Sequence, residues 1–470
     1  MAGPGQQYVI KQAFISADRL GGFDETGVDV KTMIAELSLF ESLDKPFVTG
    51  NLVLLDDKGI FEKISFKGTE KLRLVIAGVT TDDAGQPVEV FPPGKKEATN
   101  EKRTFILTEV EKRIKGAGAG NASMYVINFV DEHAILSNLK EVSKSYEGKV
   151  TNILSKIILS ELKKSVDASY TDATVKNGKL TENAALQEDM KVIVPGISPL
   201  QAVKWLLKRA TTATGSPYFC WASIHDDRLR LGNLDTMLQQ EPWNVKLPFT
   251  YNPSNISAAE KATGLERASI IKDITYTEMS NTLALIKTGS IGAEYANTNL
   301  NTGRISKGHY SFRDTLRRLG EENTIDIKRQ NVFDPLAKFD DIFMDDYNSI
   351  GYHTLTSSGV YGDNKSYHDE YDVSKFKKKI EGRAIKNHLL KDMFNIAVAG
   401  ETFFISGAGC GDIISLQISS DDIERTEDGD KDDLTDKERS GKALIYDVRH
   451  TFVGTEHTVS MNVCKLERQS

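Results

Sequence analysis

Hydrophobic and polar residues alternate along much of this chain, most clearly in SGKALIYDVRHTFVGTEHTVSMNVCK, residues 440–465. Leu444, Tyr446, Val448, His450 and Phe452 share one phase, while Asp447, Arg449 and Thr451 take the other. After Gly454, His457, Val459, Met461 and Val463 alternate with Thr458, Ser460 and Asn462. This period of two on both sides of a glycine predicts a hairpin with one apolar face, and Gly454 supplies the positive φ of a tight connection. His450 and His457 fall in the apolar phase near the turn, where two imidazoles could approach a metal. A stable metal site takes three or four ligands, and no third histidine or suitable cysteine stands close in sequence. Both are read as packed side chains of a scaffold hairpin.

Similar short runs fill residues 33–130: TMIAELSLFESL, PFVTGNLVLLDD, EKLRLVIAGV, RTFILTEVEKR and MYVINFVDE. Several strands at such spacing predict an antiparallel barrel or sandwich. TTDDAGQPVEVFPPGKKEATNEKR, with Pro92-Pro93 and many charges, reads as a long exposed loop, and KGAGAGNAS as a shorter one. Helical spacing then appears. Val150, Ile153, Leu154, Ile157, Ile158 and Leu162 form one stripe. In PGISPLQAVKWLLKRA, Ser198 stands at a cap and Pro199 at the first helical position. SPYFCWASIHDDRLRLGNLDTM returns to strand, with a turn at Asp226-Asp227. ASIIKDITYTEM and NTLALIKTGSIGAEYANTN read as strands, followed by a polar, tyrosine-rich insert to about residue 373 and a helix in VSKFKKKIEGRAIKNHLLKDM. FNIAVAGETFFISGAGCGDIISLQI and the hairpin close the chain as β-structure. The expected fold is mainly β with α+β insertions.

The chain has 470 residues, enough for two to four domains, and its 39% hydrophobic and 27% charged content is that of a soluble globular protein. The N-terminus MAGPGQQYVIKQAF has no basic and apolar signal pattern, and no run is long enough for a membrane helix, so synthesis in the cytoplasm without a cleaved signal is expected. Three dispersed cysteines, Cys220, Cys410 and Cys464, argue against a disulfide framework or a zinc knuckle. A net charge of −8 gives no global field for nucleic acid.

Candidate chemistry is sparse. Gly116, Gly118 and Gly120 miss the dinucleotide spacing, and SGAGCGD precedes a strand where a phosphate loop needs a helix. Cys410 within that loop could be an exposed thiol, but no histidine stands near to activate it. In the acidic stretch 421–439, a calcium loop starting at Asp428 would place Asp430 and Asp432 correctly. It would then put Asp433 at the glycine position and Arg439 at the bidentate glutamate position, which excludes an EF-hand and leaves a solvated loop. HExxH, GxSxG and Walker motifs are missing. No catalytic, cofactor-binding or metal-ligating residue is assigned, and no cofactor is expected.

The order of four blocks resembles the central baseplate hub protein of contractile-tailed bacteriophages, related to the hub part of type VI secretion and contractile injection spikes. The blocks are LFESLDKPFVTGNLVLLDDKGIFEKISFKGTEKLRLVI, with its Pro46 and Gly50 turn; YVINFVDEHAILSNLKEVSKSYEGKVTNILSKI; VPGISPLQAVKWLLKRA; and SGKALIYDVRHTFVGTEHTVSMNVCKLER. The resemblance implies two tail-tube-like antiparallel β-barrel domains per chain. The first spans 1–130, and the second is assembled from 265–300 and 390–470. A mixed α+β domain occupies 131–264, and a polar insert and helix occupy 301–389. It also implies a structural, non-enzymatic homotrimer in the virion tail, joining the tail tube or a tube initiator to a central spike and touching other baseplate or wedge proteins. No specific nucleic-acid sequence or small-molecule substrate is implied. The chain lacks a lysozyme module or a glycine-repeat needle. Competing readings are a cell-wall-degrading tail enzyme, whose acid pair the sequence does not single out, and a receptor-binding module built on the tyrosine-rich insert.

Overall fold

The computed structural model describes residues 7–16, 27–57, 59, 66–81, 87–90, 103–115, 123–170, 174–176, 179–181, 189–208, 210–212, 215–251, 268–276, 282–300, 303, 305–315, 338–356, 373–391, 393–400, 403, 407–419, 435–436 and 439–465. The fold is mainly antiparallel β with α+β insertions, as the alternation implies. A first block contains β1 (Tyr8–Ser16), β2 (Val28–Asp29), β3 (Ile34–Ser42), β4 (Lys45–Asp56), β5 (Lys71–Thr81), β6 (Pro87–Val90), β7 (Thr104–Lys115) and β8 (Ser123–Asp131). β6 lies inside the segment read as a long loop. Among the described residues it pairs only with β5, and Pro87 at its first position suits an edge strand, which needs no donor on its outer side.

The middle region comprises α1 (Glu132–Asn138), β9 (Val142–Lys149), α2 (Val150–Ile157) continuing into a π turn at Ile158–Leu162, β10 (Val166–Tyr170), β11 (Thr174–Lys176), β12 (Lys179–Thr181), β13 (Asp189–Ile197), α3 (Pro199–Leu207), β14 (Tyr218–Ala222), β15 (Leu229–Asn233) and α4 (Leu234–Leu238). All six residues of the predicted α2 stripe are buried. Pro199 opens α3 as expected, but the Ser198 side chain makes no capping bond. Ser137 of α1 supplies it instead, its Oγ accepting from Leu200 N at 2.9 Å.

β16 (Phe249–Tyr251) and β17 (Asp273–Tyr276) return to the main sheet. α5 (Thr282–Lys287), β18 (Gly292–Asn299), β19 (Ile305–Ser311), β20 (Lys338–Phe339), β21 (Ile342–Phe343), β22 (Gly351–Thr356) and α6 (Val373–Lys391) follow, then β23 (Met393–Ala399), β24 (Ile413–Ile418), β25 (Gly441–Val453) and β26 (Glu456–Lys465). Three placements differ from the expected segments. Thr282–Lys287, read as strand, forms α5, because leucine and alanine are strong helix formers and an unbroken apolar run does not specify a strand. β16, placed by sequence in the middle region, pairs with β24 of the second block. β18, placed by sequence in the second barrel, forms a small sheet with β19 and β22, because a short connection through Gly303 at φ 69° folds β19 back on it. The acidic stretch 421–434 and the Gly116–Gly120 loop lie outside the described residues.

The two β blocks share one topology. In the first, the strands run in the order β3-β4-β8-β7-β5; in the second, β17-β23-β26-β25-β24. Each is first, second, fifth, fourth, third in chain order, with every neighbour antiparallel. One bulge is shared: the β7–β8 register shifts between Leu107 and Glu109, and the β25–β26 register between Ile445 and Asp447, while the further shifts of β7–β8 and β3–β4 have no counterpart in the second block. Taking those bulges as equivalent aligns the cross-strand row Ser38–Asn51–Asn128–Glu109 with Thr275–Asn395–Asn462–Asp447. In the second row Asn395 Nδ2 donates to Asn462 Oδ1 at 2.8 Å, and Asn462 Nδ2 donates to Asp447 Oδ2 at 3.1 Å.

The next row exchanges bulk across the strands. Gly50 faces Phe129 in the first block, whereas Phe394 faces Val463 in the second. A Cβ on Gly50 would meet the Phe129 ring at 2.2 Å and the Ser38 carbonyl oxygen at 2.6 Å. Overpacking of this kind costs about 1–3 kcal/mol, so Gly50→Ala should lower the thermal midpoint, and adding Phe129→Leu should restore part of the loss. A Gly50→Ala protein that melts with the wild type in calorimetry would contradict this packing.

Candidate functional site

The two blocks are halves of one 14-stranded sheet. β25 makes the joint. Its first residues pair with β24, Leu444 opposite Ile413 and Gly441 opposite Leu416. Beyond the bulge it leaves β24 and pairs with β3, from Asp447 opposite Ser42 to Val453 opposite Glu36. On the outer face of this seam Arg449 Nη2 lies 3.8 Å from Glu36 Oε1 and donates to Ser38 Oγ at 3.3 Å.

The inner face holds the two histidines of the hairpin, both buried. His450 Nδ1 and His457 Nε2 are 3.1 Å apart and share a hydrogen bond. Their rings belong to a column. Phe452 stacks on His457 with centroids 4.3 Å apart, Tyr8 lies 4.9 Å from Phe452, and His225 of the middle region stands edge-on to His450 at 6.4 Å. The fold thus brings to His450 a third histidine distant in sequence. His225 Nε2 is bonded to the Ala408 carbonyl at 2.8 Å, and no cluster of metal-binding side chains occurs among the described residues. Burial, reinforced by His457 and His225, holds His450 well below the ordinary imidazole range; burial, with His225 and Lys272, pushes His457 down to about 3. Both are neutral packing groups. A Cβ on Gly400 would strike the His457 ring, so only glycine lets the backbone just after β23 approach.

A second set of groups, which the sequence did not single out, ties the first block to the middle region. Arg103 donates from Nε and Nη2 to Asp131 at 2.7 and 2.6 Å, and from Nη1 to the carbonyls of Ser223 and Asp226. Asp131 also accepts from Val48 N at 2.6 Å. Burial alone would raise the Asp131 carboxyl, but the Arg103 charge and hydrogen bonds outweigh it and hold the group below the usual range. Glu41 accepts from Ile224 N and from Ser223 Oγ. Its burial is only partly offset by that N–H and by Arg230 and Arg103, so its carboxyl is pushed up to about 7. Asp412, raised by burial, accepts from Gly409 N at 2.9 Å and Tyr170 OH at 3.2 Å. These are joints between elements. Nothing among them pairs a nucleophile with a base.

Cys410, which the sequence reading allowed as an exposed thiol, is buried, and burial raises its pKa well above the ordinary thiol value. Its loop turns inward beneath Trp221, against which Gly411 packs at φ 90°. Cys220 is likewise buried and pushed up to about 12. A cavity of about 510 Å³ lies between α3, the start of β4 and α6, with Lys204, Arg383 and Lys386 in its lining. Lys386 there binds Asp44 in the β3–β4 turn, which also accepts from Tyr446 OH.

Glu41 gives the structure a pH dependence of unusual sign for a carboxylate. Its folded pKa lies above the unfolded value, so the native state holds the proton longer, and stability falls as pH rises from about 4.5 through 7. Glu41→Gln keeps an acceptor for Ile224 N without the charge. Relative to wild type, it should gain on the order of 2–3 kcal/mol between pH 5 and pH 8 in urea unfolding. A difference that is flat across that range would mean that Glu41 ionises in the fold as it does in water.

No family model matches this sequence, and no curated protein matches it. Among solved structures, the tail protein from Neisseria meningitidis MC58 aligns at TM-score 0.52 and 10% identity, over 98% of this chain and 97% of that one. The 43 kDa tail protein of prophage MuSo2 from Shewanella oneidensis aligns at 0.46 and 8%, over 98% and 100%. The half-lidded PdpA-VgrG complex from Francisella aligns at 0.44 and 10%, over 99% of this chain and 59% of that one. The chain therefore has the fold of a tail protein, the fold class that its resemblance to a baseplate hub implied.

Proposed function

We propose that this chain is the structural baseplate hub of a contractile tail. Three copies form a ring that joins a hexameric tail tube, or its initiator, to a trimeric central spike and continues the tail channel. The observation that carries this reading is the repeated unit: one chain holds two five-strand units with the same order, polarity and bulge. Three such chains present six similar units, which is what a hexameric tube requires of its neighbour.

The insertions favour the same role. The middle region follows Asp131 at the end of β8, beside the β3–β4 turn, and the polar insert fills the equivalent β17–β23 connection. The β7–β8 and β25–β26 hairpins at the other end of these strands carry neither insertion. One end of the ladder is thus doubled per chain and the other is not, as an adaptor between sixfold and threefold partners needs. In this role the protein resides in the virion tail, contacts the spike and wedge proteins through its unlike end, and has no catalytic activity of its own.

Light scattering after gel filtration should give the mass of three chains, and negative-stain class averages should show a ring of six similar lobes. A protein that stays monomeric at micromolar concentration and in the presence of its tube protein would overturn the proposal.

A further inference from the structure

The in-chain seam joins the fourth strand of the second unit, β25, to the first strand of the first unit, β3. The reciprocal pair is the fourth strand of the first unit, β7, and the first strand of the second unit, β17. Among the described residues, both have an edge along which no strand pairs. Beyond Ile106, the described residues place no strand beside β7 on the side away from β8, and none beside β17 on the side away from β23. Within one chain these two strands stand at opposite ends of the row that runs from β17 to β7, and they do not pair with each other.

We propose that the β7 edge of one copy pairs with the β17 edge of the next, antiparallel and in the register of the in-chain seam. The inference rests on the ring-forming reading above and names the strands that close the ring. The occupant is a second copy of this chain because the two edges are the counterparts of the two strands that pair in the seam, and the polar contacts of its outer face recur on them. Partners on β3, β4, β8, β23 and β26 fix the equivalences: Glu36, Ser38 and Leu39 correspond to Asp273, Thr275 and Tyr276. Through β8 and β26, and allowing for the further bulge between Val110 and Lys112, Arg449, His450 and Thr451 correspond to Lys112, Arg113 and Ile114. Since Thr451 faces Ser38 and His450 faces Leu39 in the seam, Ile114 should face Thr275 of the neighbouring copy, and Arg113 should face its Tyr276.

The chemistry of the seam recurs at these positions. Arg449 reaches Glu36 and Ser38 in the seam; its counterpart Lys112 is basic, and the counterparts Asp273 and Thr275 are again an acid and a hydroxyl. Apolar surface is also exposed there: Ile114 is 49% exposed, and Tyr276, with Arg439 over its ring, is still 43% exposed. Charge on an open strand edge keeps like edges apart. Here the end of β7 carries Lys112 and Arg113 and the start of β17 carries Asp273, a complementarity that favours β17 as the partner of this end of β7.

Directly opposed residues in an antiparallel pair have Cα atoms about 4.5–5.5 Å apart, within the span of a disulfide. The three native cysteines are buried and do not compete. In the full chain, Ile114→Cys combined with Thr275→Cys should, on mild oxidation, convert most of the protein to a covalent trimer on a non-reducing gel, reversed by dithiothreitol. The control Ile114→Cys with Ile274→Cys, one residue out of register, should stay largely uncrosslinked. In parallel, Lys112→Glu and Asp273→Lys should each lower the trimer fraction several-fold in gel filtration, and their combination should restore it. A chain that elutes as a trimer yet forms neither the crosslink nor the charge rescue would overturn the edge pairing and leave the hub reading standing. A folded chain that never assembles would overturn both.

Discussion

The backbone donors and acceptors of β3 between Glu36 and Ser42 find their partners in β25, near the other end of the chain. Buried peptide groups must be hydrogen-bonded somewhere, and this pairing turns two β units into one sheet. It also places the ring column of Tyr8, Phe452, His457 and His450 at the boundary. Without the seam, Leu37 and Leu39 would lose the face against which they are buried, and each unit would carry an open apolar edge.

The charged groups do a different task. Arg103 and Asp131 are nearly fully buried, and a pair of that kind is costly to desolvate, so it adds little net stability over an apolar equivalent. Its value here is directional. The planar guanidinium binds Asp131 through two nitrogens and aims its third at the Ser223 and Asp226 carbonyls, which fixes the β14–β15 hairpin against the first unit. Glu41 reaches the same hairpin through Ile224 N. Apolar packing alone would permit that hairpin to slide.

Strand existence was legible in the sequence because alternation and turn glycines are local signals. The phases of Leu444–Phe452 and His457–Val463 foretold that His450 and His457 would be inside, and Pro199 marked the start of α3. The seam was not legible, since alternation states which face is buried and says nothing about the neighbouring strand. The shared polar row was hidden for a related reason. Ser38, Asn51, Asn128 and Glu109 correspond to Thr275, Asn395, Asn462 and Asp447 through strands separated by unequal connections, so no single offset aligns them. Arg103, Asp131 and Glu41 stand at or beside strand ends, where the pattern carries no information on burial. β18 was misplaced because a strand-like run cannot declare which of two sheets it joins.

The seam also bears on how the protein is made. A chain emerging from the ribosome produces β3 early and β25 only near its end, and contacts between such distant segments form late and slowly. Until residues 447–453 arrive, the edge of β3 is bare and the first unit is incomplete. A prematurely terminated chain can never cover that edge, so it remains exposed to chaperones and proteases. The joint between the two units thus acts as a check on length: only a chain that extends through β25 covers the β3 edge.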